Sequence, residues 1–158
     1  MYGLVSRRNF ALALSGTTAC LGAGAAAASS GSAQEAIEPI LQPVAVTEEA
    51  LIERAFEMRR LAVEKGDRAY GAIVVRDGVI LGQSWSRVIL DQDPTAHAEI
   101  SAIRDACRRL GNRSLDGAEL YSSSRPCPMC EAAAFWAGIE GMVFGREATR
   151  GGVPKLCS

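Results

Sequence analysis

Apolar side chains recur every three or four residues shortly after residue 46, which predicts a first helix. The repeating apolar positions are Leu51, Ala55, Met58 and Ala62. Thr47 can cap the start of this helix through its hydroxyl group, and Gly66 ends the repeat. The pattern therefore predicts a helix from about Thr47 to Gly66.

A different pattern follows in the segment YGAIVVRDGVILGQSW, residues 70–85. Two runs rich in β-branched residues flank the pair Asp77-Gly78, which suits a tight turn with positive φ angles. This arrangement predicts a β-hairpin. The stretch from Ser86 to Thr95 reads as a polar loop that leads away from the hairpin.

The second half of the chain alternates between helix and strand patterns. A second helix is predicted from about His97 to Leu110. AELYSSS predicts a third strand, Pro126 opens a third helix that ends near Gly138, and GMVFG predicts a short fourth strand. Together these elements predict an α/β fold, a three-layer α/β/α sandwich with a mixed sheet, over residues 47–158.

The first 33 residues differ in composition from the rest of the chain. Arg7 and Arg8 precede a mildly apolar segment rich in alanine and glycine. This is the anatomy of a secretory signal, and SRRNFAL resembles a twin-arginine export signal. We therefore expect residues 1–33 to direct export to the periplasm, with no membrane attachment after removal. A membrane anchor and an unstructured tail are the alternatives, and residues 34–46 read as a linker or surface wrap.

Charge argues against a polyanionic partner. The chain carries 17 basic and 18 acidic side chains, and loss of Arg7 and Arg8 with the signal would leave a net charge of −3. No basic segment that could follow a phosphate backbone is evident. We therefore expect a small-molecule substrate rather than nucleic acid.

Cys127 and Cys130 form a C-x-x-C pair at the predicted start of the third helix, a position that favours the thiolate form. Such a pair can be a redox couple, a disulfide or half of a structural zinc site. A structural zinc site needs four protein ligands. The remaining cysteines after residue 33 are Cys107, which lies on the apolar face of the second helix, and Cys157, next to the chain end. Neither is a good fourth ligand.

His97 is the one histidine of the chain and offers a third ligand. Helices that follow neighbouring strands of an α/β sheet begin at the same edge, so His97 can meet the cysteine pair there. Three protein ligands and one open position are typical of a catalytic zinc site. The alternative for His97 is a histidine that caps the helix or packs in the core.

Glu99 lies two residues after His97 and is not needed as a metal ligand. A carboxylate in this position can take a proton from a water at the metal and deliver it elsewhere, first as base and then as acid. The alternative is a glutamate that only complements the helix dipole.

HAE followed by PCPMC is similar to the H-x-E…P-C-x-x-C signature of the zinc-dependent cytidine and nucleobase deaminases. DPTAHAEI and VFG also resemble the branch that holds guanine deaminases and tRNA adenosine deaminases, and the likeness runs from about residue 70 to residue 145. The resemblance implies a cytidine-deaminase-like fold, often as a homodimer or larger homo-oligomer. It implies that His97, Cys127 and Cys130 bind Zn²⁺ and that Glu99 moves protons during hydrolytic loss of ammonia.

The same resemblance points to three substrate-binding residues. Ser86 stands eleven residues before His97, where family members commonly carry an asparagine whose amide holds the substrate. Trp136 matches a tryptophan of the guanine deaminases that can stack on a ring; its alternative is an ordinary half-buried aromatic. The N–H of Ala98, at a helix start, could donate to a substrate carbonyl.

The sequence therefore predicts an exported zinc hydrolase that deaminates a small amino-substituted heterocycle, a nucleobase or nucleoside, with guanine as a candidate. One alternative is a deaminase of adenosine in tRNA or other nucleic acid. Another is a zinc-stabilised binding protein without turnover, which Ser86 and the short segment after VFG would favour.

Overall fold

The computed structural model describes residues 39–156. Within this range the chain forms three helices and five strands. The helices are α1 (Glu48–Glu64), α2 (Ala98–Leu110) and α3 (Pro128–Ala137). The strands are β1 (Gly71–Arg76), β2 (Val79–Trp85), β3 (Glu119–Ser122), β4 (Gly141–Phe144) and β5 (Thr149–Gly152).

The five strands form one mixed sheet in the order β2-β1-β3-β4-β5. β1 lies antiparallel to both β2 and β3, so β2 and β3 run in the same direction on either side of it. β4 is parallel to β3, and β5 is antiparallel to β4. The expectation that α2 and α3 follow neighbouring strands is therefore wrong, because β1 separates β2 from β3. Both helices nevertheless begin at the same edge of the sheet, the one formed by the C-terminal ends of β2 and β3.

Helices cover both faces of this sheet. Phe56 of α1 shares a buried cluster with Ile73 of β1 on one face. Ala102 of α2 and Ala134 of α3 share a second cluster with Val74 of β1 on the other face. Successive residues of β1 thus point to opposite layers. The predicted three-layer α/β/α sandwich with a mixed sheet is confirmed.

Two glycines allow the helices to lie directly on the hairpin. A Cβ atom on Gly82 of β2 would stand 2.4 Å from the backbone nitrogen of Ala106 in α2. A Cβ atom on Gly71 of β1 would stand 2.2 Å from the backbone nitrogen of Arg59 in α1. Since both neighbours are helix backbone, neither can give way without moving the helix. These contacts fix how closely α1 and α2 approach the sheet.

The hairpin turn forms as predicted, with φ of 51° at Asp77 and 76° at Gly78. The start of the third helix is two residues later than predicted, because α3 begins at Pro128 rather than Pro126. A residue before proline is disfavoured in the helical conformation, and Cys127 is extended, with φ of −76° and ψ of 167°. Cys127 consequently becomes the N-cap of α3.

Strand β5 is an addition to the predicted elements. Its sequence TRGG has no alternation of apolar and polar residues, so no pattern predicts it. A turn brings it back along β4, with a hydrogen bond of 3.2 Å from the N–H of Ala148 to the carbonyl of Gly145. The strand is exposed along its whole length and forms one edge of the sheet.

The predicted signal, residues 1–33, lies outside the described range, as do residues 34–38 of the predicted linker. Residues 39–46 contain no helix or strand. Gln42 pairs with both backbone groups of Ile80: its Oε1 accepts from the N–H at 2.8 Å, and its Nε2 donates to the carbonyl at 3.0 Å. The side chain therefore covers part of the outer edge of β2.

From residue 39 to residue 156, no helix is both long and apolar enough to cross a membrane.

We predict that Gly82→Ala lowers the free energy of unfolding by about 3 kcal/mol, because the new methyl group must push α2 away from β2. Gly111→Ala is the matched control: its φ is 62°, yet a Cβ atom there meets nothing within 4 Å. Backbone strain alone should cost about 1 kcal/mol in that variant. Urea denaturation measures both values. Equal losses in the two variants would contradict the proposed close contact.

Candidate metal centre

His97 and Cys127 occupy equivalent positions at the starts of two helices. Each is an N-cap residue with extended backbone, and neither side chain makes a capping hydrogen bond. His97 occupies the N-cap position, but its imidazole does not cap the helix, so the alternative of a capping histidine side chain is wrong. Because the cap positions precede the helices at the same sheet edge, the two side chains are free to point toward each other.

The imidazole and the two sulfurs converge closely. Nδ1 of His97 lies 3.6 Å from Sγ of Cys127 and 3.5 Å from Sγ of Cys130. The two sulfurs lie 3.6 Å apart. A tetrahedral zinc ion with ordinary bond lengths would hold two sulfurs about 3.8 Å apart and a nitrogen and a sulfur about 3.6 Å apart. The three side chains therefore fit zinc, and among the residues from 39 to 156 they form the group of ligands close enough to share one ion.

Burial shapes the chemistry of the cysteine pair. Burial, with Glu99 and Cys127 nearby, raises the pKa of the Cys130 thiol well above its usual range. The expectation of a thiolate is therefore wrong for Cys130 without a metal ion, because burial disfavours the charged form. A thiolate here needs a cation beside it, and a divalent ion with two thiolate ligands supplies that charge.

Glu99 points into the protein beside the ligands instead of lying on the surface. It is 5% exposed, and its Oε2 lies 3.5 Å from Sγ of Cys130. Burial raises the pKa of the Glu99 carboxyl, against the opposing effects of its own N–H, Cys130 and His97. A buried acid that touches a ligand but leaves the three-ligand set intact can hold or release a proton at the open side of the cluster. Its position goes beyond complementing a helix dipole.

The three predicted substrate-binding residues lie in different settings. Ala98 is the first residue of α2, where a helix N–H has no acceptor within the helix. Ser86 is only 1% exposed, and its hydroxyl donates to Oδ1 of Asp67 at 2.8 Å. Trp136 is 71% exposed in the last turn of α3, with its ring edge-on to Phe135. The observed partners of Ser86 and Trp136 are thus protein groups, and contact with substrate stays a prediction for all three residues.

Asp67 was not singled out by the sequence. It accepts hydrogen bonds from Ser86 and from the backbone of Arg68, Ile89 and Leu90. An aspartate after a helix-ending glycine is ordinary in a turn, and its partners in the loop are about twenty residues away. No local sequence signal could have identified this role.

The chain is similar in sequence to proteins of known activity. Residues 45–146 match the cytidine and deoxycytidylate deaminase zinc-binding region. Guanine deaminase of Bacillus subtilis is 40% identical over 102 residues, which cover 64% of this chain and 65% of that protein. A tRNA-specific adenosine deaminase of Aquifex aeolicus is 40% identical over 109 residues, which cover 68% of this chain and 72% of that protein. The X-ray structure of guanine deaminase from Bacillus subtilis superposes with a TM-score of 0.59 at 41% identity over 63% of each chain.

We predict that Cys127→Ser lowers bound zinc from one ion per chain to a small fraction, because a hydroxyl is a much poorer zinc ligand than a thiolate. Cys107→Ser is the matched control, since Cys107 lies outside the ligand cluster. Equilibrium dialysis followed by metal analysis measures the stoichiometry. Full zinc retention by Cys127→Ser, or equal loss in the control, would contradict the assignment.

Proposed function

Because the chain belongs to the family defined by the cytidine and deoxycytidylate deaminase zinc-binding region, we propose that it is a zinc-dependent hydrolytic deaminase. The proposed substrate is a small amino-substituted heterocycle, a nucleobase or nucleoside. One observation carries the proposal: the buried carboxyl of Glu99 stands against a cluster of three ligands from two helix starts. Sequence identity to a guanine deaminase makes guanine the first substrate to test.

The proposed reaction adds water to a ring carbon that bears an amino group and releases ammonia, which leaves a carbonyl in its place. Zinc, when bound, supplies a Lewis acid that makes water reactive at neutral pH. Glu99 takes the proton of the attacking water and passes it to the ring nitrogen. Glu99 then takes the proton of the hydroxyl group added to the carbon and passes it to the amino group, which leaves as ammonia while the carbonyl forms. In this proposal the N–H of Ala98 holds a substrate oxygen during these steps.

The charges of the segments around the metal site support a small substrate. The segments that meet there are residues 62–71, 86–99, 123–131 and 145–148. Together they carry five basic and seven acidic side chains, of which Asp67 and Glu99 are buried. A surface that binds a polyanion needs an excess of basic groups. A small heterocycle needs none.

A second candidate function is deamination of adenosine in tRNA. The tRNA-specific relative from Aquifex aeolicus favours it, because its identity to this chain equals that of the guanine deaminase. The two candidates use the same reaction at the zinc and differ in what surrounds the reacting base. Turnover of free guanine against turnover of an anticodon-loop RNA separates them. The homo-oligomer expected from the resemblance stays a prediction in either case.

Export is a separate part of the proposal. Arg7, Arg8 and the apolar segment after them support a twin-arginine route to the periplasm. That route carries folded proteins, so zinc could be loaded before crossing and protect the Cys127–Cys130 pair from oxidation.

We predict that Glu99→Gln lowers ammonia release about 10³-fold while one zinc per chain remains, because the amide cannot move protons. Glu131→Gln, in the first turn of α3, is the matched control and should keep its activity. Wild type and variants are assayed against guanine, other bases and nucleosides, and an anticodon-loop RNA. Undiminished turnover in Glu99→Gln would overturn the mechanism. A wild type that binds zinc but releases no ammonia from any substrate would favour the binding-protein alternative.

We predict that replacing Arg7 and Arg8 together by lysine moves the protein from the periplasmic to the cytoplasmic fraction of a bacterium that has the twin-arginine translocase. The adjacent pair Arg59 and Arg60, replaced in the same way, is the control and should leave the distribution unchanged. Immunoblotting of the two fractions reports the result. An unchanged periplasmic share in the Arg7 and Arg8 variant would contradict this route.

A further inference from the structure

One carboxylate outside the metal cluster collects four hydrogen bonds. Oδ1 of Asp67 accepts from the N–H of Arg68 at 2.7 Å and from the hydroxyl of Ser86 at 2.8 Å. Oδ2 accepts from the N–H groups of Ile89 and Leu90 at 2.9 and 3.0 Å. Burial would raise the pKa of Asp67, but these donors together lower it below its usual value. The carboxylate is therefore ionised and fully occupied at neutral pH.

Three of these four donors belong to the start of the loop that delivers His97. The loop closes on itself through a hydrogen bond of 3.0 Å from the N–H of Arg87 to the carbonyl of Ala96. Ala96 is buried and directly precedes His97. Contacts thus run without a gap from Asp67, through both ends of the loop, to the residue before the histidine ligand.

We propose that Asp67 and Ser86 are positioning residues of the metal centre, which set the place of the His97 imidazole by fixing the loop of residues 86–96. Among the hydrogen bonds of residues 39–156, none joins Asp67 or Ser86 to a metal ligand, so we expect both to act through the backbone of the loop. Groups that orient a ligand from outside the coordination sphere change metal affinity by about ten- to a hundredfold in other proteins. An effect of these two residues on turnover rests on the proposed function, whereas their effect on metal affinity does not.

The proposal gives Ser86 a role that differs from substrate binding. The side chain is almost fully buried, and its donor hydrogen is directed to Asp67. A serine hydroxyl has a single hydrogen to donate. While it bonds Asp67, Ser86 can offer a substrate only acceptor capacity.

The test compares zinc affinity, measured by competition with a chromophoric chelator, in three folded variants. Asp67→Asn should weaken zinc binding about tenfold, because one amide oxygen cannot replace two carboxylate oxygens as acceptor. Ser86→Ala should shift affinity in the same direction by less. Asp105→Asn is the matched control: Asp105 is as deeply buried as Asp67, and its Oδ2 accepts from the N–H of Gln83 at 3.0 Å. It should lower the melting temperature but leave zinc affinity within about twofold of wild type.

A second readout reports geometry rather than affinity. Cobalt substituted for zinc should show altered visible absorption bands in Asp67→Asn and wild-type bands in Asp105→Asn. Wild-type zinc affinity and cobalt bands in Asp67→Asn would overturn the proposal, and so would equal loss of affinity in the Asp105 control. If Asp67→Asn fails to fold, unchanged affinity in Ser86→Ala overturns it alone. These measurements need no substrate, so a wild type without ammonia release would refute the proposed function while leaving this inference standing.

Discussion

The structure depends on bringing one imidazole and two sulfurs within about 3.6 Å of one another at a single edge of the sheet. Parallel β2 and β3 make this possible, because each ends at that edge and each is followed by a helix whose first turn lies there. Burial raises the pKa of the Cys130 thiol, so the thiolate that binds zinc is favoured only with a cation beside it. Zinc binding and the local fold therefore stabilise each other.

The elements around the cluster are held by backbone contacts. Gly82 lets α2 lie directly on β2, so close packing fixes the position of that helix. Asp67 does the equivalent for the loop before His97. Close packing at Gly82 and the hydrogen bonds to Asp67 thus hold the helix and the loop in place at this edge. They explain how short segments can hold ligands at fixed separation, which a proton-transferring neighbour such as Glu99 requires.

Much of the fold and the cluster itself could be predicted from the sequence, since their signals are local. The Asp77-Gly78 pair marks the hairpin turn, and the HAE and PCPMC segments mark the ligands. What could not be predicted depends on contacts between distant residues or on absent patterns. The partners of Asp67 in the loop are distant from it along the chain. β5 pairs through its backbone groups, which any sequence supplies. The pattern does not show whether α3 begins at Pro126 or at Pro128, because proline suits the first turn of a helix at either position.

X-ray absorption spectroscopy of the zinc-loaded protein is the decisive measurement of the metal site, because it counts the ligand atoms around the metal without a substrate. We expect two sulfurs at about 2.3 Å, one imidazole nitrogen at about 2.0 Å and one further light atom in the open position. A shell of four sulfurs, or one without sulfur, would contradict the joint coordination by His97, Cys127 and Cys130 on which the assignment rests.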